Sequence, residues 1–299
     1  MTVSDVRTDL DAEQAVERTP WPAALLGLIA RYPLGAAGAF VVLVMIFAAV
    51  FADVIAPYDP ENNYYEYMFT APGAQFWLGT DDFGRDILSR IIYGARTALF
   101  VGFVAAFIGA TGGLVLGVAS AYFGGWFDLI IQRVMDVFMA FPLIILALAV
   151  VAVLGPGIDK VIIAITIPFI PQCARVVRSS ALAIREIPYV DAARACGFSH
   201  TRIILRHMVP NVMAPYLIMI TAFVGQAILL EAVLAFLGLG VQEPTPAWGL
   251  MLKSGAEEYA ESAPWIPIFP GIAISLAVFG FNLFGDALRD ALDPKLRSQ

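Results

Sequence analysis

Long runs of apolar residues without a charged side chain alternate with short polar segments along the whole chain. Five of the six longest runs exceed the roughly 17 residues that a helix needs to cross the hydrocarbon of a bilayer. None of them alternates apolar and polar residues as the strands of a membrane barrel do. The pattern therefore predicts an all-α membrane protein with six transmembrane helices, of which the fourth comes from the shortest run. The charge-free runs are 34–52, 97–127, 137–158, 161–174, 207–230 and 262–285.

An N-terminal part, 1–33, precedes the membrane domain, 34–299. Its first 20 residues are acidic and polar and lack the basic start and apolar core of a signal peptide, so we expect a disordered cytoplasmic tail. Residues 21–31 are predicted either as a short helix at the membrane interface, with Trp21 and Tyr32 at headgroup depth, or as an irregular flank. The six spans are placed at 34–56, 97–121, 134–155, 158–178, 210–237 and 264–287.

The composition agrees with a membrane protein, and the basic residues give its orientation. Hydrophobic residues make up 60% of the chain and charged residues 14%, whereas about a quarter of the residues in a soluble domain are charged. With six spans and a cytoplasmic N-terminus, 13 of the 18 lysines and arginines fall in inside segments. The positive-inside rule therefore predicts that both termini are cytoplasmic. The net charge of -7 reflects acidic outer loops and an acidic tail, and no groove-reading motif predicts a nucleic acid partner.

Small residues recur every four positions along one stripe of the second span. The stripe consists of Ala105, Gly109, Gly113, Gly117 and Ala121. Small side chains allow another backbone to approach closely, and helix association in lipid depends on such packing. We therefore expect a tight helix interface along this stripe.

A polar segment interrupts the chain between the fourth and fifth spans. Residues 175–206 carry six arginines against two acidic residues, too polar for the membrane and rich in helix formers. We expect an amphipathic helical hairpin on the cytoplasmic face. Its first helix, 189–196, is predicted to end at Gly197 in the left-handed conformation. Ser199 is predicted to cap the second helix, 200–208, which Pro210 then ends.

The residues DAARACGFSHTRIILRHMVP, 191–210, resemble the "EAA" loop of bacterial ABC importer permeases. Three features match: the DAA start, a glycine at position 197, and proline at the end of the motif. Asp191 stands where the motif name has Glu, and His207 and Val209 stand at positions written Ile and Leu. In that family the loop is a coupling helix that inserts into a groove of an ATPase subunit.

Further stretches in the same order are similar to the C-type permease of dipeptide and oligopeptide importers. The acidic N-terminal tail departs from the basic flank expected in that family. The similar stretches are LGTDDFGRDILSRIIYGART (78–97), VMDVFMAFP (134–142), EAVLAFLGLGVQEPTPAWG (231–249) and FNLFGDALRDALDPKL (281–296).

The resemblance places the coupling loop at about 186–208 and assigns its contact residues. An N-terminal negative charge and a left-handed glycine are the properties that the loop shares with the family. The residues implied for the ATPase contact are Asp191, Ala192, Ala193, Arg194, Gly197 and Arg206.

The resemblance implies a permease subunit of an ATP-driven importer in the bacterial inner membrane. Such a subunit forms half of the translocation pathway for dipeptides, oligopeptides or similar small solutes, and glutathione and nickel chelates remain open as substrates. The implied partners are a second homologous permease, two ATPase subunits that bind ATP and Mg, and an extracytoplasmic substrate-binding protein. A membrane scaffold or a carrier that works without ATP is the alternative.

The chain itself is predicted to be neither an enzyme nor a cofactor-binding protein. It has no G-x-x-x-x-G-K-[ST] sequence, and the segment 280–285 fails because Asp286 stands in place of the phosphate-binding lysine. His200 and His207 have no third ligand nearby, so no metal site is predicted.

Three polar residues are candidates for the pathway or a gate. Glu231 follows the fifth apolar run, and an acidic side chain inside a membrane is a candidate for function, although an interfacial carboxylate bonded to a neighbouring helix is the simpler interpretation. Asn282 and Asp286 lie near the end of the sixth span and form either a cytoplasmic gate or a solvated helix end.

The outer segment 58–96 is rich in aromatic residues and, by the resemblance, receives the binding protein. Within it GTDDFGRD, 79–86, is predicted to be a capped turn. In that turn we expect Asp82, Arg85 and Asp86 to interact locally.

Overall fold

A computed structural model describes Gly27 and residues 29–292, and this part of the chain folds as helices and connecting turns without a β-sheet. The predicted tail, 1–20, lies outside the described residues, as does most of the predicted interfacial helix. Of that helix, Gly27 and residues 29–31 are described, and they are helical.

Eleven α-helices of the described residues are numbered here in chain order. A short 3-10 turn, Tyr65–Tyr67, lies in the outer segment, and a π-helical turn, Ile204–Met208, and a 3-10 turn, Val209–Val212, join α8 to α9. The helices are α1 Pro33–Val50, α2 Ala52–Ile55, α3 Ile87–Phe123, α4 Gly125–Met139, α5 Leu143–Leu154, α6 Ile158–Arg185, α7 Pro188–Ala195, α8 His200–Ile203, α9 Met213–Phe236, α10 Trp248–Glu258 and α11 Trp265–Leu292.

Five helical segments of the described chain are long and apolar enough to cross a membrane. They are α1, α3, α6, α11 and the run His200–Phe236, which ends with α9. The pair α4 and α5 passes the same criteria only together and bends by 88° between its halves, so counting it as one span gives six.

The bend divides the span predicted at 134–155 into two helices. Helix α4 ends at Met139 and α5 begins at Leu143. Pro142, between them, is extended at ψ 135°. Proline has no N–H to donate and disfavours helical backbone in the residue before it, so the chain turns at this point.

Helix α3 is much longer than the span predicted at 97–121. The Asp86 carboxylate accepts a hydrogen bond of 2.8 Å from the Ser89 N–H and caps its start. Gly124, at φ 64°, ends it. A rise of 1.5 Å per residue gives a helix about 55 Å long, well beyond a hydrocarbon layer of about 30 Å. Its two ends therefore reach the outer loops and the cytoplasmic loop.

The small-residue stripe on α3 packs against α6, as predicted. A Cβ placed on Gly113 would lie 2.5 Å from the Cβ of Cys173 and 2.8 Å from the Ala174 nitrogen. A Cβ placed on Gly109 would lie 2.6 Å from the Cβ of Phe169. These positions are occupied by glycine because the α6 backbone fills the space of a side chain.

Helix α9 packs against α3, α6 and α11 along its length and against α10 at its outer end, where a Cβ on Gly249 would meet the Ala232 carbonyl. Phe223 stacks on Phe169 of α6, with ring centroids 4.1 Å apart. A Cβ on Gly102 of α3 would lie 3.1 Å from Ile228. On the α11 side, Phe281 is 3.2 Å from the Cβ position of Gly225. These contacts cover α9 on three sides and leave the fourth uncovered.

Two tryptophans fasten the outer loops to the bundle. The Trp248 indole donates a hydrogen bond of 3.0 Å to the Ile91 carbonyl on α3. The Trp265 indole donates one of 3.1 Å to the Thr80 carbonyl in the outer segment. Both indoles are thereby satisfied within apolar surroundings, and the outer segment is held against the starts of α10 and α11.

Candidate functional site

Helix α7, the first arm of the coupling loop, has one face on the bundle and one face free. It starts with Pro188 at its first position, where the missing N–H costs nothing. Val190 and Ala193 are buried. Asp191 and Ala192 are exposed. Of the predicted contact residues, Ala193 therefore points inward and its neighbours remain available to a partner.

The turn that ends α7 has the predicted left-handed glycine. Gly197 has φ 74°. Its N–H bonds the Arg194 carbonyl at 2.9 Å, and the Phe198 N–H bonds the Ala193 carbonyl at 3.2 Å. These two bonds form a Schellman motif, which satisfies carbonyl groups at the helix end. The prediction of a left-handed helix end at Gly197 is confirmed.

Arg194 is held in place by two neighbours. Its guanidinium is 3.0 Å from the Asp191 carboxylate, one turn earlier on α7. It also lies 5.4 Å from the ring centroid of Tyr122, at the inner end of α3. The Tyr122 hydroxyl is in turn 2.7 Å from Nδ1 of His200. Both arms of the loop are thus joined to α3 through one tyrosine.

The second arm is not the single α-helix predicted for 200–208. The Ser199 hydroxyl accepts a hydrogen bond from the Arg202 N–H, which confirms the predicted cap. After four α-helical residues the chain widens into the π-helical turn and then tightens into the 3-10 turn. Pro210 lies at this junction and cannot donate to a carbonyl in the preceding turn.

Two side chains donate hydrogen bonds to a carbonyl of the second arm in place of backbone N–H groups. The His207 carbonyl receives the Tyr189 hydroxyl at 2.9 Å and the Asn211 amide at 2.7 Å. Tyr189 belongs to α7, so these bonds also join the two arms of the loop. The hairpin is therefore hydrogen-bonded to the turn that precedes α9.

The arginines around the loop fall into two groups. Arg178 binds the Asp128 carboxylate of α4 with both Nε and Nη2, at 2.7 and 2.5 Å. Arg185 donates to the Ala121 carbonyl at 2.9 Å. Arg206, by contrast, is exposed and makes no ion pair within the described residues. The first group holds the bundle together, and Arg206 remains free to bind a partner.

The three pathway candidates lie in two different environments. Glu231 is 1% exposed, and its Oε1 has no hydrogen-bond partner within the described part of the chain. Asn282 and Asp286 are exposed and lie one turn apart on α11. The structure thus brings Asn282 and Asp286 together on a surface and separates Glu231 from them.

Gln226 is a polar residue of the uncovered side of α9 that the sequence analysis missed. It is exposed near the middle of α9. Asn282 Oδ1 lies 3.4 Å from the Cβ position of Gly225, the residue next to Gln226. A glutamine inside an apolar run was a signal available in the sequence.

The outer turn GTDDFGRD is tied to a distant loop, which the prediction of purely local interactions omitted. Asp81 receives Arg85 Nε at 2.7 Å. Arg85 also binds Glu243, 158 residues later, at 2.6 Å, and the fully buried Arg90 lies 3.4 Å from the same carboxylate. Buried charges require such partners. The local part of the prediction holds for Asp86, which caps α3.

Two family models match the chain. The model described as "Binding-protein-dependent transport system inner membrane component" matches residues 113–298. The model described as "N-terminal TM domain of oligopeptide transport permease C" matches residues 23–72. The first covers the predicted coupling loop and helices α9 and α11.

Several curated proteins are similar over nearly the whole chain. A dipeptide transport system permease protein of Alkalihalophilus pseudofirmus is 43% identical over 291 residues, covering 96% of this chain and 93% of the relative. A glutathione transport system permease protein of Escherichia coli is 44% identical over 281 residues, covering 94% and 92%. A putative peptide transport system permease protein of Brucella abortus is 45% identical over 262 residues, covering 88% of each.

A solved structure shares the fold. The inward-facing MetNI methionine ABC transporter superposes with a TM-score of 0.56 at 19% identity, covering 69% of this chain and 98% of that chain. The chain therefore belongs to the family of inner-membrane permease components of binding-protein-dependent ABC importers.

Proposed function

We propose that this permease forms half of the translocation pathway for short peptides and is driven by ATP hydrolysis on separate subunits. The exposed face of α7 is the observation that carries the coupling part of this proposal. The relatives named for dipeptide, peptide and glutathione transport support short peptides as the substrate class.

The exposed face of α7 is the surface that an ATPase subunit contacts. Asp191, Ala192 and Arg194 provide it, and Gly197 shapes its end. Small residues such as Ala192 let a partner approach closely, and the Asp191–Arg194 pair at 3.0 Å fixes the position of the charges. Arg206, unpaired within the described chain, adds a cation on the second arm.

Movement of the loop reaches the membrane through helices that are continuous with it. The run His200–Phe236 is helical from the second arm to the outer end of α9. Tyr122 links the loop to α3 through His200 at 2.7 Å. A push on the loop therefore shifts α9 relative to its neighbours, as a rigid element biased by a ligand on another subunit.

The complete importer has further components. We assign it a second homologous permease, two ATPase subunits that carry ATP and Mg, and an extracytoplasmic binding protein that docks on the outer segment, 58–96. Exposed aromatic side chains there, including Trp77 and Tyr65, suit a protein contact. Both termini lie in the cytoplasm of a bacterium, and the chain crosses its inner membrane.

Asn282 and Asp286 are the pathway residues that the exposed surface of α11 supports. A polar side chain that is exposed within a membrane helix belongs at a water-filled cavity or at a protein partner. Glu231 is buried in this conformation. It acts as a gate only in a state in which α9 has separated from the helices that now cover it.

Transport by the purified complex tests the proposal. The chain is expressed with its genomic neighbours, isolated through a tag and reconstituted in liposomes with the binding protein. We expect a second permease and ATPase subunits to copurify, and uptake of a labelled dipeptide to require ATP. Recovery of the chain alone, or uptake that persists without ATP, overturns it in favour of a carrier.

Crosslinking tests the coupling surface. We expect Ala192→Cys on the exposed face of α7 to crosslink to a cysteine in the ATPase groove, in a manner that depends on nucleotide. Ala193→Cys is the matched control, because the side chain at that neighbouring position is buried. Equal crosslinking at the two positions contradicts the orientation of α7.

A further inference from the structure

The uncovered side of α9 carries a polar residue that lipid does not tolerate. The other three sides contact α3, α6 and α11, as described above. On the fourth side Gln226 is exposed, near the middle of the 24-residue helix. Its carboxamide makes no hydrogen bond within the described residues. An unpaired amide in hydrocarbon loses its hydrogen bonds to water, so this side does not face lipid chains.

A second carboxamide lies at the same depth on the adjoining helix. Asn282 of α11 is exposed, and its side chain also makes no hydrogen bond within the described part of the chain. Its Oδ1 is 3.4 Å from the position of a Cβ on Gly225, so the two helices meet closely here. The glycine is what allows that approach. Gln226 and Asn282 thus place two amides without a hydrogen-bond partner among the described residues on two helices that meet at Gly225.

The hydroxyl groups of Ser275 and Thr221 on these two helices are already satisfied. The Ser275 hydroxyl of α11 is exposed but bonds the Gly271 carbonyl at 2.8 Å. The Thr221 hydroxyl of α9 bonds the Ile218 carbonyl at 2.9 Å. Hydroxyls that bond back to their own helix do not need an external partner. The two carboxamides differ from them in having both donors and acceptors available.

We propose that Gln226 and Asn282 form a two-amide site that binds the main chain of a peptide within the membrane. This inference rests on the proposed function. Each carboxamide offers one acceptor and two donors, which match the N–H and C=O of a peptide bond. Recognition of the main chain accepts any side chain, so the site suits a pathway that selects peptides as a class. Because α9 is continuous with the coupling loop, loop movement displaces Gln226 relative to Asn282.

Thiol labelling tests whether the site faces water. Gln226→Cys and Asn282→Cys variants of the assembled transporter are treated with a charged, membrane-impermeant methanethiosulfonate, and each site is quantified by mass spectrometry. We expect labelling at both positions and protection by L-alanyl-L-alanine supplied with the binding protein. The native cysteines provide references, because Cys196 is exposed on the loop and Cys173 is buried.

A lipid-facing position is the matched control. Phe107 is exposed in an apolar part of α3, and we expect Phe107→Cys to remain unlabelled. Absence of label at positions 226 and 282 in an active transporter overturns the site. A disulfide between the cysteine introduced in either variant and the second permease also overturns it, because the amides then pair across a subunit interface.

Transport of an altered peptide tests what the site recognises. Wild type is compared with the Gln226→Leu and Asn282→Leu variants for uptake of L-alanyl-L-alanine and of L-alanyl-L-lactate, which lacks the peptide N–H. We expect each variant to import the dipeptide about fivefold more slowly, as for the loss of one net hydrogen bond. We also expect each variant to discriminate less between the two compounds than wild type.

The comparison of variants distinguishes a failure of the two-amide site from a failure of the proposed function. The binding protein is the same in every assay, so its own preference cancels in the ratio between wild type and variant. Ser275→Ala, on the same helix as Asn282, is expected to transport like wild type. Unchanged discrimination in both leucine variants overturns the two-amide site alone. A wild-type complex that imports neither compound contradicts the proposed function instead.

Discussion

Replacement of Gly197 by valine is the sharpest test of the coupling loop. Gly197 has φ 74°, which L residues rarely adopt. A Cβ at this position meets no atom within 4 Å. Any effect of Gly197→Val on the loop therefore comes from the backbone conformation and not from a steric clash with a neighbour.

The magnitude follows from the conformation and from the two hydrogen bonds of the turn. The left-handed conformation costs an ordinary L residue about 1–2 kcal/mol, and a β-branched residue lies at the upper end. If the turn instead rearranges, it loses the bonds at 2.9 and 3.2 Å from the N–H groups of Gly197 and Phe198. Each contributes about 1 kcal/mol. Either way the capped turn is disfavoured by about 2 kcal/mol, roughly 30-fold in population.

The assay is ATP-driven dipeptide uptake by the reconstituted complex, normalised to the amount of complex recovered. We expect Gly197→Val to assemble with its partners but to lose up to roughly 30-fold in uptake. Gly197→Asn should stay near wild type because asparagine tolerates this conformation.

The uptake rates of the variants relative to wild type test whether transport needs the left-handed turn. Equal uptake by the valine, asparagine and wild-type proteins at equal assembly contradicts the prediction that uptake needs the left-handed turn at Gly197.

Three further predictions concern stability in detergent. Gly113→Ala should lower the melting temperature, because its Cβ would lie 2.8 Å from the α6 backbone and such overpacking costs about 1–3 kcal/mol. Gly112→Ala should lower it much less, because its Cβ would lie 3.2 Å from a flexible Ile side chain. Equal shifts in melting temperature contradict this packing. Arg90→Leu should cost about 1–3 kcal/mol, because the buried Pro60 carbonyl loses its donor at 2.9 Å while Asp81 and Glu243 keep Arg85 as a partner. The exposed Arg96→Leu should cost at most about 1 kcal/mol, and similar losses argue against a buried network. Burial and nearby Asp81 raise the pKa of the Asp82 carboxyl above its ordinary value, so Asp82→Asn should stabilise the protein near pH 7. The gain should shrink as the pH falls through the raised pKa and be gone below the ordinary carboxyl range, where Asp82 is protonated in both the folded and the unfolded chain, and a gain independent of pH contradicts this.

The class of the protein and the two turn residues of its polar loop could be predicted from the sequence alone. Charge-free runs give apolar helices because unpaired backbone groups are not tolerated in lipid. Gly197 and Ser199 were predictable as turn residues because a left-handed φ and a helix cap are local requirements. The stripe containing Gly113 likewise predicted close packing, since small side chains at four-residue spacing lie on one helix face.

Contacts between distant residues could be seen only in the tertiary structure. Glu243 could not be paired with Arg85 from the sequence, because 158 residues separate them and no local rule sets that contact. The break between α4 and α5 was likewise hidden, since proline permits both a kinked helix and a sharp turn.

The direction in which each intramembrane polar side chain points was also decided only by packing. Glu231 and Gln226 lie five residues apart on the same helix, a spacing that places them on different faces. Neighbouring helices cover the first and leave the second exposed. Charge alone had made Glu231 the candidate, whereas the arrangement of α3, α6 and α11 around α9 is what leaves Gln226 beside Asn282. The sequence determines which side chains are polar, and helix packing determines which of them are exposed, because exposure depends on neighbours that are remote in the chain.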